Sequence, residues 1–206
     1  MADPPYRIVS ERTVIRCWEP RDAPLLKDAI DSSLDHLRPW MAWAQDEPQT
    51  LEQKVALLRR FRSHFDLGRE FVYGILDRDE RQALGGTGLH PRSGDDSLEI
   101  GYWIRASEAG HGLATETTAA LTRVAFEVCG VDRVDVRVDP ANAASLAIPR
   151  KLGFREEATL RRRLPAHEDG VPRDLTLFTL FRHELAGTPA ASAVLEAYDA
   201  LGERVL

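Results

Sequence analysis

The chain has 206 residues and a formal charge of −6, with 43% hydrophobic and 29% charged residues. That length fits one domain with a real core and room for an appended tail, and the composition is that of a soluble globular protein. The acidic balance argues against nucleic-acid binding by the whole surface, and no apolar run approaches the length of a membrane span.

The N-terminal segment MADPPYR has no apolar signal region. Cys17 and Cys129 fall on separate elements and lack metal-ligand spacing, so neither a disulfide nor a metal is expected and the setting reads as reduced and cytoplasmic. Residues 7–18 alternate as a strand with an internal turn at Ser10-Glu11. Pro20 to Ser32 reads as a helix with Leu25, Leu26, Ala29 and Ile30 on one stripe. The next segment breaks near Arg38-Pro39. Thr50-Leu51-Glu52-Gln53 is a capping box, and Val55, Leu58, Phe61 and Phe65 give its helix an apolar face that Gly68 terminates.

Three strands follow, Glu70–Leu76, Ala83–Leu89 and Leu98–Ile104, with polar turns over 77–80 and 91–96. Consecutive strands of this kind predict an antiparallel meander. His90, just before Pro91, reads as a strand-end residue. A glycine-punctuated loop, Gly110-His111-Gly112-Leu113-Ala114-Thr115, then opens a helix that runs to Cys129 and stops at Gly130. Val131–Val138 is a strand. Asn142 caps a second helix, whose Pro149 removes the hydrogen bond back to the Ser145 carbonyl and leaves that oxygen needing a partner. Strands from Phe154 and over Asp174–Arg182 complete the pattern. Arg161-Arg162-Arg163 reads as a solvated face. Residues 186–191 read as a linker, and Ser192–Arg204 as a helix carrying Val194, Leu195, Tyr198 and Leu201, suited to docking or to covering a dimer contact.

A strand feeding a glycine-rich helix start is a phosphate cradle, because free N–H groups and the helix dipole both favour an anion there. The loop lacks the Lys of a P-loop and the third glycine of a dinucleotide fingerprint, since Thr115 stands at that position. A nucleotide enzyme of the doubly wound type is therefore disfavoured.

The pattern Ala109-x-x-Gly112-x-Ala114 resembles the pyrophosphate loop of the GNAT N-acetyltransferase superfamily, although Ala109 replaces the usual Gln or Arg. Asn142-x-x-Ser145 with Lys151-Leu152-Gly153-Phe154 resembles the second landmark of that family. His36-Leu37-Arg38-Pro39-Trp40 and Gly170-Val171-Pro172-Arg173-Asp174 resemble segments of its RimJ/RimL branch, which acetylates ribosomal proteins. The resemblance covers roughly residues 7–185 in order. It implies an α/β (α+β) GNAT fold, with a mixed, mostly antiparallel sheet of about six to seven strands, helices on both faces and a splayed acyl-CoA cleft. It also implies a transferase domain over residues 1–185, with residues 186–206 as a linker and helical tail, and family members of this kind are often dimers.

The resemblance further implies acetyl-CoA as co-substrate, no metal, and a protein N-terminal amine or a small-molecule amine as acceptor. Succinyl-CoA as donor, or a non-catalytic acyl-CoA sensor, are alternatives within the same fold. Glu99 is expected as the general base; the other reading is a strand carboxylate paired with an arginine. Ser145 is expected to protonate the leaving thiolate, because Pro149 stands where many relatives carry a tyrosine. Coenzyme contacts are expected from residues 110–115 (His111 toward a phosphate), from Asn142, Ser145 and Lys151, and from backbone N–H groups at Trp103, Ile104 and Arg105. His36, Arg38, Trp40 and Trp43 are expected to wall an acceptor pocket with Glu99 and Tyr102. Along the strand, Glu99, Gly101 and Trp103 share one face, and Leu98, Ile100 and Tyr102 the other.

Overall fold

The computed structural model describes residues 2–206 except Ser93, Asp95 and residues 167–169. The turn expected over 91–96 therefore lies partly outside the described residues. Strands β1 (Arg7–Ser10) and β2 (Thr13–Cys17) form a hairpin, split at the expected Ser10-Glu11 turn. Helices α1 (Ala23–Asp31), α2 (Leu34–Leu37) and α3 (Leu51–Asp66) follow. The capping box at Thr50 is formed in both directions, with the Gln53 N–H donating to Thr50 Oγ1 and the Thr50 N–H donating to Gln53 Oε1. The meander consists of β3 (Phe71–Asp77), β4 (Ala83–His90) and β5 (Ser97–Ile104), each antiparallel to the next.

Helix α4 (Leu113–Arg123) continues into a π-helical turn over Val124–Val128, then come β6 (Arg133–Val138), α5 (Ala143–Leu152), β7 (Arg155–Leu164) and β8 (Arg173–Phe181). Among the described residues, nine strands form one sheet, with β9 (Leu195–Tyr198) at its end, in the order β7-β8-β6-β5-β4-β3-β2-β1-β9. Helices cover both faces, as the alternation in β5 requires. Ala120, Leu121 and Val124 pack with Leu98, Ile100, Val134 and Val136 on one side. Trp18, Leu26, Ile30 and Leu58 pack with Val72 and Trp103 on the other. No described helix is long and apolar enough to cross a membrane.

The C-terminal tail departs from the sequence expectation. Residues 182–187 and 189–192 form 3₁₀ turns rather than a free linker, with Ala190 fully buried. The expected helix over Ser192–Arg204 is instead β9, antiparallel to β1 from Ser10↔Leu195 to Arg7↔Tyr198. The outer edge of β1 offers unpaired backbone groups, and Leu195 and Ala197 alternate inward to reach the core. The presumed helical stripe fails because Val194 and Leu201 are exposed. The sheet thus gains strands beyond expectation from the split hairpin and from this tail.

β5 and β6 form a parallel pair, but only from Ser97↔Arg133 to Ile100↔Val136. Both strands run on unpaired with each other, to Ile104 and Val138, so the sheet splays open beyond Ile100.

On the α1/α3 side, the loop before α3 is held by a buried charge pair. Lys54, whose side chain is fully buried, binds Glu47, and the other Glu47 oxygen accepts the Gln49 N–H at 2.8 Å. The Arg38 guanidinium donates to the Glu47 carbonyl at 3.0 Å. Lys54→Met strands a carboxylate in the interior and should cost about 3–5 kcal/mol in urea unfolding, with much of the loss recovered by Lys54→Met/Glu47→Leu. A single-variant loss below about 1 kcal/mol would show that this pair does not hold the loop.

Candidate active site

The glycine loop stands beside the splay. Gly110 and Gly112 have φ of +81° and +82°, a region open to glycine at little cost. Their turn aligns the backbone ahead of α4, and the N–H groups of residues 110–115 donate to no described residue. A Cβ on Gly110 would meet nothing within 4 Å, so the loop faces open space. It is braced from behind. Arg12 donates from its guanidinium to the His111 carbonyl at 2.8 Å and to Glu116 Oε2 at 2.6 Å. Glu116 Oε1 also accepts from Ser10 Oγ at 2.8 Å and from the Arg12 N–H at 2.9 Å. Burial alone would raise the Glu116 pKa; these hydrogen bonds and the Arg12 charge outweigh it and hold the carboxyl below its ordinary value.

Across the splay, Asn142 caps α5 by accepting the Ser145 N–H at 3.0 Å. Ser145 Oγ lies 3.0 Å from the Tyr102 hydroxyl, so β5 and α5 are bridged at the mouth of the cleft. The Ser145 carbonyl, orphaned by Pro149, accepts from the same hydroxyl at 3.3 Å. Burial pushes the Tyr102 phenol up to about 12, against the opposing effect of the Ser145 hydrogen bond, so it keeps its proton near neutrality.

On the opposite face of β5 lies a cavity of about 890 Å³ between α1, α3 and strands β3–β5. Trp18, Phe61 and Trp103 give it an aromatic wall, and Trp43 packs edge-on against Trp103 at 5.8 Å. Gly86 permits this, because a Cβ there would sit 2.5 Å from the Trp103 indole nitrogen. His90 also lines the cavity, its Nδ1 2.7 Å from Glu70 Oε1, which Arg92 shares at 2.5 Å. Burial acts to raise the Glu70 pKa, but the hydrogen bonds and charges of His90 and Arg92 prevail and lower it.

The structure sorts the expected residues. Tyr102, Asn142 and Ser145 meet at the splay, with the loop of residues 110–115 on its near side. Leu113 is buried against Ile104, with Ala114 beside them, which fixes the start of α4 to β5. His111 is mostly exposed, 3.9 Å from Glu108. Arg105 is a correction: its N–H donates to the Leu84 carbonyl at 2.8 Å and its guanidinium to Asp28 at 2.7 Å. Strand alternation puts the Trp103 N–H on that same β4 side and turns those of Tyr102 and Ile104 toward the splay. Lys151 is exposed in the last turn of α5, roughly 13 Å along the helix from Asn142, and is not brought to the loop.

Of the residues expected to wall an acceptor pocket, Trp43 and Tyr102 line the cavity, joined by Met41. His36 is exposed, Trp40 is half-buried outside the cavity, and Arg38 ties down the loop backbone. Glu99 is buried, with Oε2 3.1 Å from Arg137 Nε but without hydrogen-bond alignment, and does not line the cavity. Sequence reasoning passed over the His90–Glu70–Arg92 group and the Asp139–Arg173 ion pair. Arg173 also donates to the Pro39 carbonyl at 3.3 Å, joining β8 and the end of β6 to the cavity loop. The signal for His90 was the glycine pair Gly86 and Gly88 two residues apart on one strand face, which marks room for large neighbours. Among the described residues, no cluster of three or more His, Cys, Asp or Glu is placed to hold a metal.

Residues 12–155 match the acetyltransferase (GNAT) domain family. The [ribosomal protein uS5]-alanine N-acetyltransferase of Escherichia coli K12 is 27% identical over 183 residues, which is 86% of this chain and 91% of that protein. Mycobacterium smegmatis RimJ, solved in complex with CoA-disulfide, is 26% identical with a TM-score of 0.79, over 92% of this chain and 94% of its own. RimL, titled a ribosomal L7/L12 α-N-protein acetyltransferase in complex with coenzyme A, shares the fold at a TM-score of 0.74 and 18% identity, over 84% and 96% of the two chains. The single described parallel pair, β5–β6, also rules out a doubly wound nucleotide fold. The matched region contains the splay, the glycine loop and α5, and the chain belongs to the GNAT acetyltransferase family, on its RimJ/RimL-like side.

Proposed function

We propose that this protein transfers an acetyl group from acetyl-CoA to a primary amine, with a protein N-terminal α-amine as the acceptor class its relatives suggest. The observation that carries this is the run of unbonded N–H groups at residues 110–115 beside the mouth of the splay. Such a run suits a pyrophosphate, through direct donors and the positive end of the α4 dipole. The Tyr102 and Ile104 N–H groups, turned into the splay, suit the amide-bearing arm of the coenzyme.

The amine enters from the cavity face and attacks the thioester carbonyl carbon at the vertex of the splay. A C–N bond forms and the C–S bond breaks. The thiolate then takes a proton from the Ser145 hydroxyl, which Tyr102 replenishes through their 3.0 Å contact. The proton released by the amine goes to a basic group on the cavity face. Holding both substrates at one vertex supplies most of the acceleration.

Calorimetry with acetyl-CoA and succinyl-CoA, followed by mass spectrometry of Ala- and Ser-initiated peptides and simple alkylamines, tests the proposal. Binding of acetyl-CoA with acetylated product supports it. Preference for succinyl-CoA changes the donor, binding without turnover makes the protein a sensor, and no binding of either overturns the reading. Gly112→Glu should weaken acetyl-CoA binding roughly 30-fold, through like charge at the helix start and strain at positive φ. Ser145→Ala should lower kcat by about 100-fold while leaving acetyl-CoA affinity within about threefold, as rate and calorimetric measurements would show.

A further inference from the structure

Two glycines in register make a slot for one side chain. Gly88 of β4 pairs with Gly101 of β5, and the imidazole of His90 lies over both. A Cβ on Gly88 would stand 2.6 Å from the ring Cε1 and Nε2, and one on Gly101 3.3 Å from Nε2. A side chain at Gly88 would displace the ring, and one at Gly101 would press it by a few tenths of an ångström. Gly101 is the first β5 residue beyond Ile100↔Val136, where pairing with β6 ends. The imidazole therefore lies at the vertex of the splay and lines the cavity, whose wall also includes Tyr102, the partner of Ser145.

The orientation of the ring follows from its partner. Ionised Glu70 only accepts, so His90 Nδ1 carries the hydrogen in their 2.7 Å bond, and Nε2 is the ring nitrogen that can exchange a proton. Nε2 bonds to no described residue. Glu99, its cross-strand neighbour, faces Arg137 at 3.1 Å and is absent from the cavity lining. A base held by a hydrogen bond and lining the cavity beside the reacting position is the arrangement proton abstraction requires.

We propose that His90 Nε2 takes the proton from the acceptor amine, with Glu70 as its positioning residue, and that Glu99 supports the strand rather than acting as base. The inference rests on the acyl-transfer reading above. In the step, one proton leaves the amine nitrogen for Nε2 as the C–N bond forms. The C–S bond breaks, and the sulfur gains its proton from the Ser145–Tyr102 side. Imidazolium then returns its proton to solvent through the cavity. The charged groups lining the cavity with His90 are Glu70 just before β3, Arg92 just after β4, Arg60 and His64 of α3, Arg69 just beyond it, and Asp46 and Glu47 of the loop before α3; Glu99 lies across on β5, backed by Arg137 of β6.

The test is the kcat–pH profile of the full chain with acetyl-CoA and an Ala-initiated peptide, beside calorimetric acetyl-CoA affinity. His90→Gln is expected to lower kcat about 100-fold and remove the acid limb, with acetyl-CoA affinity within about twofold. Glu70→Gln is expected to lower kcat about tenfold at unchanged KM for the peptide. Glu99→Gln is expected to keep the acid limb and most of the rate. Wild-type kcat and acid limb in His90→Gln, with both lost in Glu99→Gln, would overturn the proposal and restore Glu99 as base. Should His90→Gln fail to bind acetyl-CoA, the Glu70→Gln split decides, and a wild-type kcat there overturns it. Absence of turnover by the wild-type chain would defeat the transfer reading itself, and this one with it.

Discussion

The constraint on which the rest of this structure depends is that β5 and β6 pair for four residues and then part. Backbone groups beyond Ile100 and Val136 are left facing one another across a gap, a cost that a fold rarely bears without a ligand to meet them. The parting has local causes. β5 continues antiparallel to β4 up to Gly85↔Ile104, so it follows its left-hand neighbour, while β6 continues antiparallel to β8 up to Val138↔Thr176. Two hairpin-like halves thus share a short parallel seam, and each keeps its own twist once the seam ends.

Everything chemical is arranged around that seam's end. α4 starts after β5 and α5 after β6, so the two helix N-termini flank the opening. One brings a loop of unbonded N–H groups, the other Ser145 under its Asn142 cap. The opposite face of β5 carries glycines at Gly101 and, on β4, at Gly86 and Gly88. These empty positions make room for Trp103 and His90 and open the cavity between sheet and helices. A single strand therefore presents one ligand-facing edge and two unlike faces, which is what transfer between two different substrates demands.

Local signals in the sequence carried most of this. Polar turns marked off the meander strands, and Thr50, Asn142 and Gly130 marked helix ends, because turns and caps are properties of a few neighbouring residues. The faces of β5 were readable for the same reason, and so was the orphaned carbonyl at Ser145, which Tyr102 meets. What failed depended on distant partners. Whether Leu195–Tyr198 becomes helix or strand is decided by the free edge of β1, nearly the whole chain away. Which arginine meets Glu99 depends on strand order, as does the partnership of His90 with Glu70, which lies 20 residues earlier, just before β3. Arg38 was read as a pocket wall because its segment resembles one, but its guanidinium reaches back to the Glu47 carbonyl.

The loops around the site are each tied by a cation–carboxylate pair that does not itself enter the reaction. Lys54–Glu47 holds the loop bearing Trp43, Arg12–Glu116 braces the glycine loop, and Arg173–Asp139 fastens the end of β6 to β8. Apolar packing would be cheaper, since a buried pair recovers its desolvation cost only with good geometry. Apolar contacts, however, are non-directional, and these loops must keep their backbone N–H and C=O groups aimed at fixed points. Each pair also reaches a main-chain group: Glu47 accepts the Gln49 N–H, Arg12 donates to the His111 carbonyl, and Arg173 donates to the Pro39 carbonyl. The charges thus set backbone direction as well as position.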